Sequence, residues 1–317
     1  MGMWNILDVS LNRGEKKQLY YSPNGLETHK VPITLICGAK EGKTLGLIAG
    51  THSGEYPAIP ATSQFAKNIN PQEVTGQIVI IHCLNSRGFW EKSMDAVPDD
   101  NMNLNSSFPG NKKGTPGEKI IDFVATKIFP ELDFLLDMHS GSKVEKLVPC
   151  LFYCSIAEDA VVEATKKAAL ALNYKYLIIG TSNRSLFGYA ALSGVPNLLV
   201  ERGCFGECKQ SDIQAYIKDI IQLMKHLGMI SGECEDTITG EFYTNTTYLS
   251  SDVNGVWFPK VEAGQQIKKG EILGCVEDIF GNPIKEFYAE YDSVVFYLYC
   301  DLPIDKGTFL VAYGSKN

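Results

Sequence analysis

Hydrophobic and polar positions follow two different patterns along the chain. Between residues 31 and 228, short apolar runs alternate with stretches in which apolar residues recur every three or four positions. The runs are typical of buried strands and the stretches between them of helices. The predicted strands are Val31–Cys37, Leu45–Ala49, Ile78–Ile81, Phe134–Asp137, Tyr176–Ile179 and Pro196–Val200. The predicted helices are Pro57–Asn68, Gly117–Ile128, Glu158–Leu172 and Ser211–Leu227.

This alternation predicts an α/β fold in which a mixed sheet is covered by helices. The helical spacing ends after Gly228, and the rest of the chain shows short strand patterns broken by turns such as Asp252–Gly255 and Phe280–Pro283. We therefore expect two domains, an α/β domain over residues 1–235 and an all-β domain over residues 236–317.

The segment Asn254–Gly314 resembles a barrel-sandwich module of the lipoyl/biotinyl type. A carrier module of that type needs a lysine at the tip of its hairpin. The predicted tip, Glu290–Ser293, reads Glu-Tyr-Asp-Ser and contains no lysine. A swinging-arm role is therefore not expected.

Composition and charge narrow the range of partners. The chain has a formal net charge of -8, and its four arginines form no basic stripe, so a nucleic-acid partner is not expected. No apolar run approaches the roughly 20 residues that span a bilayer, and the first residues lack the pattern of a signal peptide. The nine scattered cysteines fit reduced thiols better than a disulfide framework. A cytoplasmic location without membrane contact is expected.

The strongest chemical signal follows the predicted strand Leu45–Ala49. There, Gly50-Thr-His-Ser-Gly-Glu55 places an imidazole and a carboxylate in one tight turn, so that His52 and Glu55 can reach the same ion. Ligand sites collect at such strand ends in open α/β sheets. An isolated His-x-x-Glu pair also arises by chance, and two ligands do not make a metal site.

A third ligand candidate, His139, follows the predicted strand Phe134–Asp137. Two histidines and a glutamate with an open fourth position are the ligand set of a catalytic zinc ion. A histidine after a strand is also often a hydrogen-bonded structural residue. Glu201 ends another apolar run and is suited to act as base and acid beside the metal, although it could instead simply pair with Arg202.

Several motifs in order resemble the succinylglutamate desuccinylase/aspartoacylase family of zinc-carboxypeptidase-like hydrolases. They are Gly50–Glu55, Asp100–Gly110, Asp137–His139, Glu201–Gly203 and the C-terminal β-domain. The resemblance implies one zinc ion held by His52, Glu55 and His139. It also implies Glu201 as general base and acid, and Asn105 as a contact to the substrate's carboxylate.

The chain departs from the family where substrate anions are bound. Ser106 replaces an arginine that grips a carboxylate, and no arginine precedes the motif within Glu91–Pro98. Arg87 or Lys92 could substitute for the second arginine. Arg184 is a further candidate for recognising an anion, and the resemblance suggests Tyr291 as a residue that reaches the pocket. A substrate with one carboxylate fewer would explain these losses.

The sequence thus predicts a zinc-dependent hydrolase that uses metal-activated water to cleave the amide bond of a small N-acyl amino acid or a related N-acyl compound. Two alternatives stay open. One is a metal-containing binding protein with impaired catalysis, which the missing arginines favour. The other is a zinc carboxypeptidase, which would need a wider cleft. The sequence leaves open whether the chain forms a homo-oligomer.

Overall fold

The computed structural model describes residues 3–235 and 240–316. Its first strands are β1 Trp4–Ile6, β2 Val9–Leu11, β3 Glu15–Tyr21, β4 Val31–Cys37, β5 Lys40–Ala49, β6 Thr75–Ile81, β7 Phe134–His139, β8 Glu145–Leu147, β9 Cys150–Cys154, β10 Tyr176–Gly180, β11 Asn197–Glu201 and β12 Glu241–Tyr243. The helices are α1 Ala58–Asn68, α2 Ser86–Glu91, α3 Pro116–Phe123, α4 Asp159–Ala171, α5 Leu186–Leu192 and α6 Gln210–His226. Short 3-10 turns lie at Pro23–Gly25, Pro71–Glu73, Leu104–Ser106 and Phe129–Glu131, and α3 continues as a π-helical turn, Val124–Ile128.

Nine strands form one mixed sheet in the order β12-β10-β9-β11-β7-β5-β6-β4-β3. Its centre is parallel, because β11, β7, β5 and β6 all run in the same direction. Strand β9 is antiparallel to β11, and β3 and β4 add antiparallel pairs at the other side. The predicted mixed α/β sheet is therefore confirmed.

Helices cover both faces of this sheet, as the apolar pattern predicts. On one face, α1, α4 and α6 bury residues such as Phe65, Ala168 and Leu223 against the sheet. On the other face, α3 and α5 do the same with residues such as Ile120 and Leu186. A capping box between Thr115 and Glu118, with Pro at the first helical position, explains why α3 begins at residue 116.

The C-terminal part consists of β13 Asn245–Ser250, β14 Gly255–Pro259, β15 Gln266–Ile267, β16 Ile272–Glu277, β17 Pro283–Tyr288, β18 Ser293–Tyr299, β19 Pro303–Ile304 and β20 Phe309–Ser315. One sheet has the order β13-β20-β18-β15, and the other has the order β17-β16-β14-β19. Trp257 from the second sheet and Val295 from the first belong to one apolar core. The all-β prediction holds, but residues 240–316 show two sheets around a core and no closed barrel.

The predicted hairpin tip is wrong. Strands β17 and β18 belong to different sheets, so Glu290–Ser293 crosses between the sheets. The hairpin of this domain joins β16 to β17, and its turn spans residues 278–282, Asp-Ile-Phe-Gly-Asn. That turn also lacks a lysine, so the expectation against a carrier role is unchanged.

Each of the two parts of the chain contributes one strand to a sheet of the other part. Strand β8 pairs with β18 of the C-terminal domain, and β12 pairs with β10 of the large sheet. The predicted boundary after residue 235 falls at residues 236–239, outside the described residues, and stays a prediction. In the described ranges, no helix combines the length and apolar character needed to cross a membrane.

Candidate active site

Three neighbouring parallel strands bring the predicted site residues to one edge of the large sheet. Strands β5, β7 and β11 lie side by side, so their carboxyl ends meet. His139 is the last residue of β7, Glu201 is the last residue of β11, and the two are directly opposite each other in the strand register. His52 follows β5 by three residues.

A glycine makes the turn that follows β5. Gly50 has a φ of +63°, which favours glycine, and a Cβ atom there would lie 2.7 Å from the sulfur of Cys83. The chain can therefore turn sharply beneath the neighbouring strand end. This turn carries His52 and Glu55 to the sheet edge before α1 begins at Ala58.

His52, Glu55 and His139 form a compact group, here called the ligand corner. Nδ1 of His52 lies 2.7 Å from Oε1 of Glu55, and Nδ1 of His139 lies 2.9 Å from Oε2 of the same carboxylate. One ligand atom of each residue lies within 4.8 Å of the others. Two imidazole nitrogens and a carboxylate are the donor set of catalytic zinc sites, so the corner fits that ion.

Polar groups behind both histidines fix the orientation of their rings. Nε2 of His52 lies 3.0 Å from Oδ1 of Asn103, and Nε2 of His139 lies 3.2 Å from Oδ2 of Asp137. The His139 contact is an ion pair without normal hydrogen-bond geometry. Such outer partners hold the rings so that both Nδ1 atoms face the carboxylate of Glu55, and the three donor groups could then share one ion.

Electrostatic coupling within the corner is strong. Burial alone would raise the pKa of Glu55, but the imidazoles of His139 and His52 outweigh burial and lower this pKa to about 2. Burial alone would lower the pKa of His139, but the carboxylates of Asp137 and Glu55 raise it well above its usual value. The corner therefore concentrates charge in a position where Glu55 and His139 are buried and His52 is partly exposed.

Glu201 faces the corner with an unsatisfied carboxylate. The residue is 8% exposed, and its Oε2 is buried without a hydrogen-bond partner in the described structure. Burial, reinforced by the negative charge of Glu55, raises the pKa of Glu201 well above its usual value. A buried carboxyl group with a raised pKa beside a candidate metal site is suited to proton transfer.

The alternative partner of Glu201, Arg202, is engaged elsewhere. Its Nε donates a hydrogen bond of 2.8 Å to Asp219 on α6, and its guanidinium lies 4.0 Å from the ring centroid of Tyr174. The hydroxyl of Tyr216 donates to the carbonyl of His139 and accepts a 2.8 Å bond from the Arg202 amide. This network holds the ends of β7 and β11 together from behind.

A cavity of about 410 Å³ opens beside Glu201 and is here called the Glu201 cavity. None of the three corner residues lines it, so Glu201 stands between the corner and the cavity. Its polar and acidic lining includes Asn105, Glu145, Glu201, Ser182 and Thr246, and its aromatic lining comprises Phe152, Phe187, Tyr248, Tyr297 and Phe309.

The other predicted substrate residues are not all near this cavity. Asn105 lines it, and the side-chain oxygen of Asn105 accepts a 2.9 Å bond from the amide of Leu186. Arg87 lines a separate cavity of about 710 Å³, which contains none of the corner residues, and it pairs with Glu91 and Asp99 at 2.7 and 2.8 Å.

Arg184 and Tyr291 also lie outside the lining of the Glu201 cavity. Arg184 is exposed on the loop after β10, next to the lining residue Ser182. The hydroxyl of Tyr291 lies 2.9 Å from the hydroxyl of Thr247. Tyr248, on β13, is the tyrosine that this part of the β-domain contributes to the cavity.

Sequence reasoning missed several residues of the site. Asp137 could have been found, because alternate residues of a strand share a face and Asp137 lies two positions before His139. Asn103 belongs to a quoted motif but was given no role. Glu145 and Tyr248 carry no local signal, since strands from different parts of the chain bring them to the cavity.

The fold and the ligand corner together define an α/β class of proteins with a candidate metal site at the carboxyl ends of parallel strands. Comparison with known families narrows this class. The sequence profile of the succinylglutamate desuccinylase/aspartoacylase catalytic domain matches residues 41–227, more than half of the chain. The chain belongs to this family.

Comparison with individual relatives and solved structures gives the same family. The N-alpha-acetyl-L-2,4-diaminobutyric acid deacetylase of Halomonas elongata is 26% identical over 278 residues, which cover 84% of this chain and 80% of the relative. A succinylglutamate desuccinylase/aspartoacylase from Rhodobacter sphaeroides superposes with a TM-score of 0.87 at 22% identity, covering 98% of both chains. The product-bound ectoine utilization protein EutE (DoeB) of Ruegeria pomeroyi has a TM-score of 0.86 at 24% identity, covering 96% of this chain and 97% of its own.

Proposed function

We propose that this protein is a cytoplasmic, zinc-dependent hydrolase that cleaves the amide bond of a small N-acyl amino acid or a related N-acyl compound. The observation that carries the proposal is the convergence of His52, Glu55 and His139, with Glu201 opposite His139 in the strand register. Family membership and the deacetylase relative support the same reaction. The free state of all nine cysteines suits a reducing compartment.

The ligand corner would hold one zinc ion through Nδ1 of His52, Nδ1 of His139 and the carboxylate of Glu55. A zinc ion bound there supplies a Lewis acid that makes water more acidic and polarises a carbonyl group. Asn103 and Asp137 keep the two imidazoles oriented towards the ion.

Glu201 performs the proton transfers in this proposal. Its carboxylate takes a proton from the water that attacks the acyl carbon and delivers a proton to the leaving nitrogen. The amide C–N bond breaks, and a carboxylic acid and an amine are released. The buried position of Glu201, between the corner and the cavity, supports this role, because a substrate bound in the cavity would reach the corner past this carboxylate.

Asn105 is the contact we assign to the bound substrate. Its oxygen is already used by the Leu186 amide, so its side-chain NH₂ group is the part that can donate to a substrate oxygen. Arg87, Arg184 and Tyr291 stay candidates whose role depends on the substrate, because none of them lines the Glu201 cavity.

The test combines metal content with turnover. Protein dialysed against zinc is expected to retain one ion per chain and to release free amine from a panel of N-acetyl amino acids. His139→Ala should lose both properties, whereas His226→Ala, at the end of α6, should keep both. Zinc uptake without turnover of any compound would favour the impaired binding protein, and release of C-terminal residues from peptides would favour a carboxypeptidase.

A further inference from the structure

The lining of the Glu201 cavity has an uneven charge distribution. Glu145 and Glu201 both line it, and among the residues that the structure describes no lysine or arginine does. Burial is the largest cause that raises the pKa of Glu145, the hydrogen bonding from Ser142 lowers it, and the nearby carboxylates of Glu55 and Asp95 raise it further. The cavity therefore favours a positive group over a negative one.

Glu145 is held in place from both sides of the domain boundary. Its Oε2 accepts a 3.0 Å hydrogen bond from the amide of Ser142, and it pairs with Tyr299 in the register between β8 and β18. No partner for its Oε1 is found in the described ranges, so one carboxylate oxygen is left for a ligand. The residue is partly buried, which reduces competition from water.

Five aromatic side chains, here called the aromatic wall, line the same cavity as this carboxylate. Rings of Phe152 and Tyr297 lie with their centroids 6.2 Å apart, and those of Phe152 and Phe187 lie 6.5 Å apart. Tyr248 and Phe309 from the β-domain add a second pair at 6.4 Å. Aromatic faces attract alkyl chains and also cations, especially where water is largely excluded.

We propose that the amine half of the substrate carries a positively charged side chain, which Glu145 binds as an ion pair and the aromatic wall encloses. This inference rests on the proposed function, and it specifies what lies on the amine side of the scissile bond. A basic amino acid or diamine-type group satisfies the chemistry, with Glu201 reserved for proton transfer.

The same surroundings disfavour a carboxylate on that side chain. Ser106 stands where the resembling family has an arginine, and Arg87 is bound to Glu91 and Asp99 in another cavity. Arg184 follows the lining residue Ser182 by two positions, but it is exposed and does not line the cavity. A terminal carboxylate would therefore face Glu145 without a cation in the lining to balance it.

The experiment compares three N-acetyl amino acids of nearly equal size on the zinc-loaded protein. Nα-acetyl-L-ornithine, Nα-acetyl-L-norleucine and Nα-acetyl-L-2-aminoadipate differ only in the ammonium, methyl or carboxylate that ends the side chain. We expect kcat/KM for the ornithine compound to exceed that for norleucine by about tenfold or more, with aminoadipate lowest. The series one methylene shorter, built on 2,4-diaminobutyrate, norvaline and glutamate, tests whether chain length matters.

Two variants test whether Glu145 causes the preference for a cationic side chain. Glu145→Gln keeps an oxygen for the Ser142 amide but removes the charge, so the preference for ornithine over norleucine should fall to about twofold or less. Glu163→Gln, an exposed change of equal charge on α4, should leave the preference intact. Titration calorimetry with free ornithine and norleucine should show the same difference in Kd without any turnover.

Each outcome separates this inference from the proposed function. Hydrolysis of norleucine or aminoadipate equal to or faster than that of ornithine overturns the charge preference and leaves the hydrolase intact. An aminoadipate preference that disappears in Arg184→Ala would assign recognition to that arginine instead. Absence of turnover on all compounds overturns the proposed function, while the calorimetric comparison still decides whether the cavity prefers a cation.

Discussion

The ligand corner and the Glu201 cavity are adjacent but are built in opposite ways. His139 ends β7, and His52 and Glu55 lie in the turn that follows β5, so the corner is built at one edge of one sheet and its ligand atoms lie within 4.8 Å of one another. The cavity is lined by residues from β9, β10, β11, the β8 region and the β-domain strands β13, β18 and β20. One region is local and compact, whereas the other is lined by strands of the large sheet and of the C-terminal sheets.

This contrast suggests that the two regions have separate roles, the corner in the chemistry and the cavity in substrate binding. The register of the sheet fixes His139 and Glu201 at neighbouring strand ends, and the short turn after β5 holds His52 and Glu55 beside them. A wall assembled from distant strands can change its charge and shape without disturbing that register. In this chain, the corner holds the three proposed ligands, while Glu145 and Glu201 make the lining of the cavity acidic.

The strongest test of these separate roles is removal of the candidate base, Glu201. Glu201→Gln preserves volume and should lower kcat by about 10²–10⁴-fold, because the glutamine cannot accept the proton of the attacking water. Zinc content, measured by mass spectrometry, should not change, since Glu201 is not one of the three ligands. Glu131→Gln, an exposed change of equal charge, serves as the control. Unaltered turnover in Glu201→Gln would assign the proton transfers to another group.

Removal of zinc should affect the stability of the large sheet. A ligand present at 1,000 times its Kd stabilises the folded state by about 4 kcal/mol, and for a domain of this size the loss should lower Tm by roughly 10 °C. Calorimetry before and after treatment with a chelator measures the change. His52→Ala should unfold at the temperature of the metal-free protein and show no response to added zinc. A Tm that is insensitive to the chelator in the unmodified chain would contradict a tightly bound ion.

Much of the fold could be predicted from the sequence because its central strands are long apolar runs. The six predicted strands and four predicted helices all correspond to observed elements. Strand β3, Glu15–Tyr21, was not predicted, because it is an exposed edge strand with a largely polar sequence. The hairpin tip was misplaced because no local pattern shows that β17 and β18 enter different sheets.

The residues of the site could likewise be predicted only in part. His52, Glu55, His139 and Glu201 could be singled out because each follows or ends an apolar run, and the parallel strand order brings those ends together. Their roles stay predictions until metal and activity are measured. Glu145 could not be found, since its position depends on the pairing of β8 with β18, about 150 residues later in the chain.

A change behind the corner should have a smaller effect than removal of a ligand. Asp137→Asn keeps the shape of the side chain but removes the charge beside Nε2 of His139, so zinc affinity should fall about 10–100-fold. Competition with a chromophoric chelator gives the Kd. Asp301→Asn, exposed in the β-domain, should keep the original affinity. Equal zinc affinities in Asp137→Asn and Asp301→Asn would show that Asp137 does not orient the imidazole ring of His139.

The smallest expected effect belongs to the outer wall of the cavity. Tyr248→Leu removes one aromatic face from the β-domain side, so KM for a substrate with a cationic side chain should rise about threefold to tenfold, in line with the strength of a cation–π contact. Neither kcat nor zinc affinity should change, because Tyr248 is neither a proposed zinc ligand nor a proton-transfer group in the proposed reaction. Tyr20→Leu, an exposed tyrosine on β3, is the matched control. A fall in kcat or in zinc affinity for Tyr248→Leu would show that the cavity wall and the ligand corner are energetically coupled, and the separation between the two regions would then be wrong.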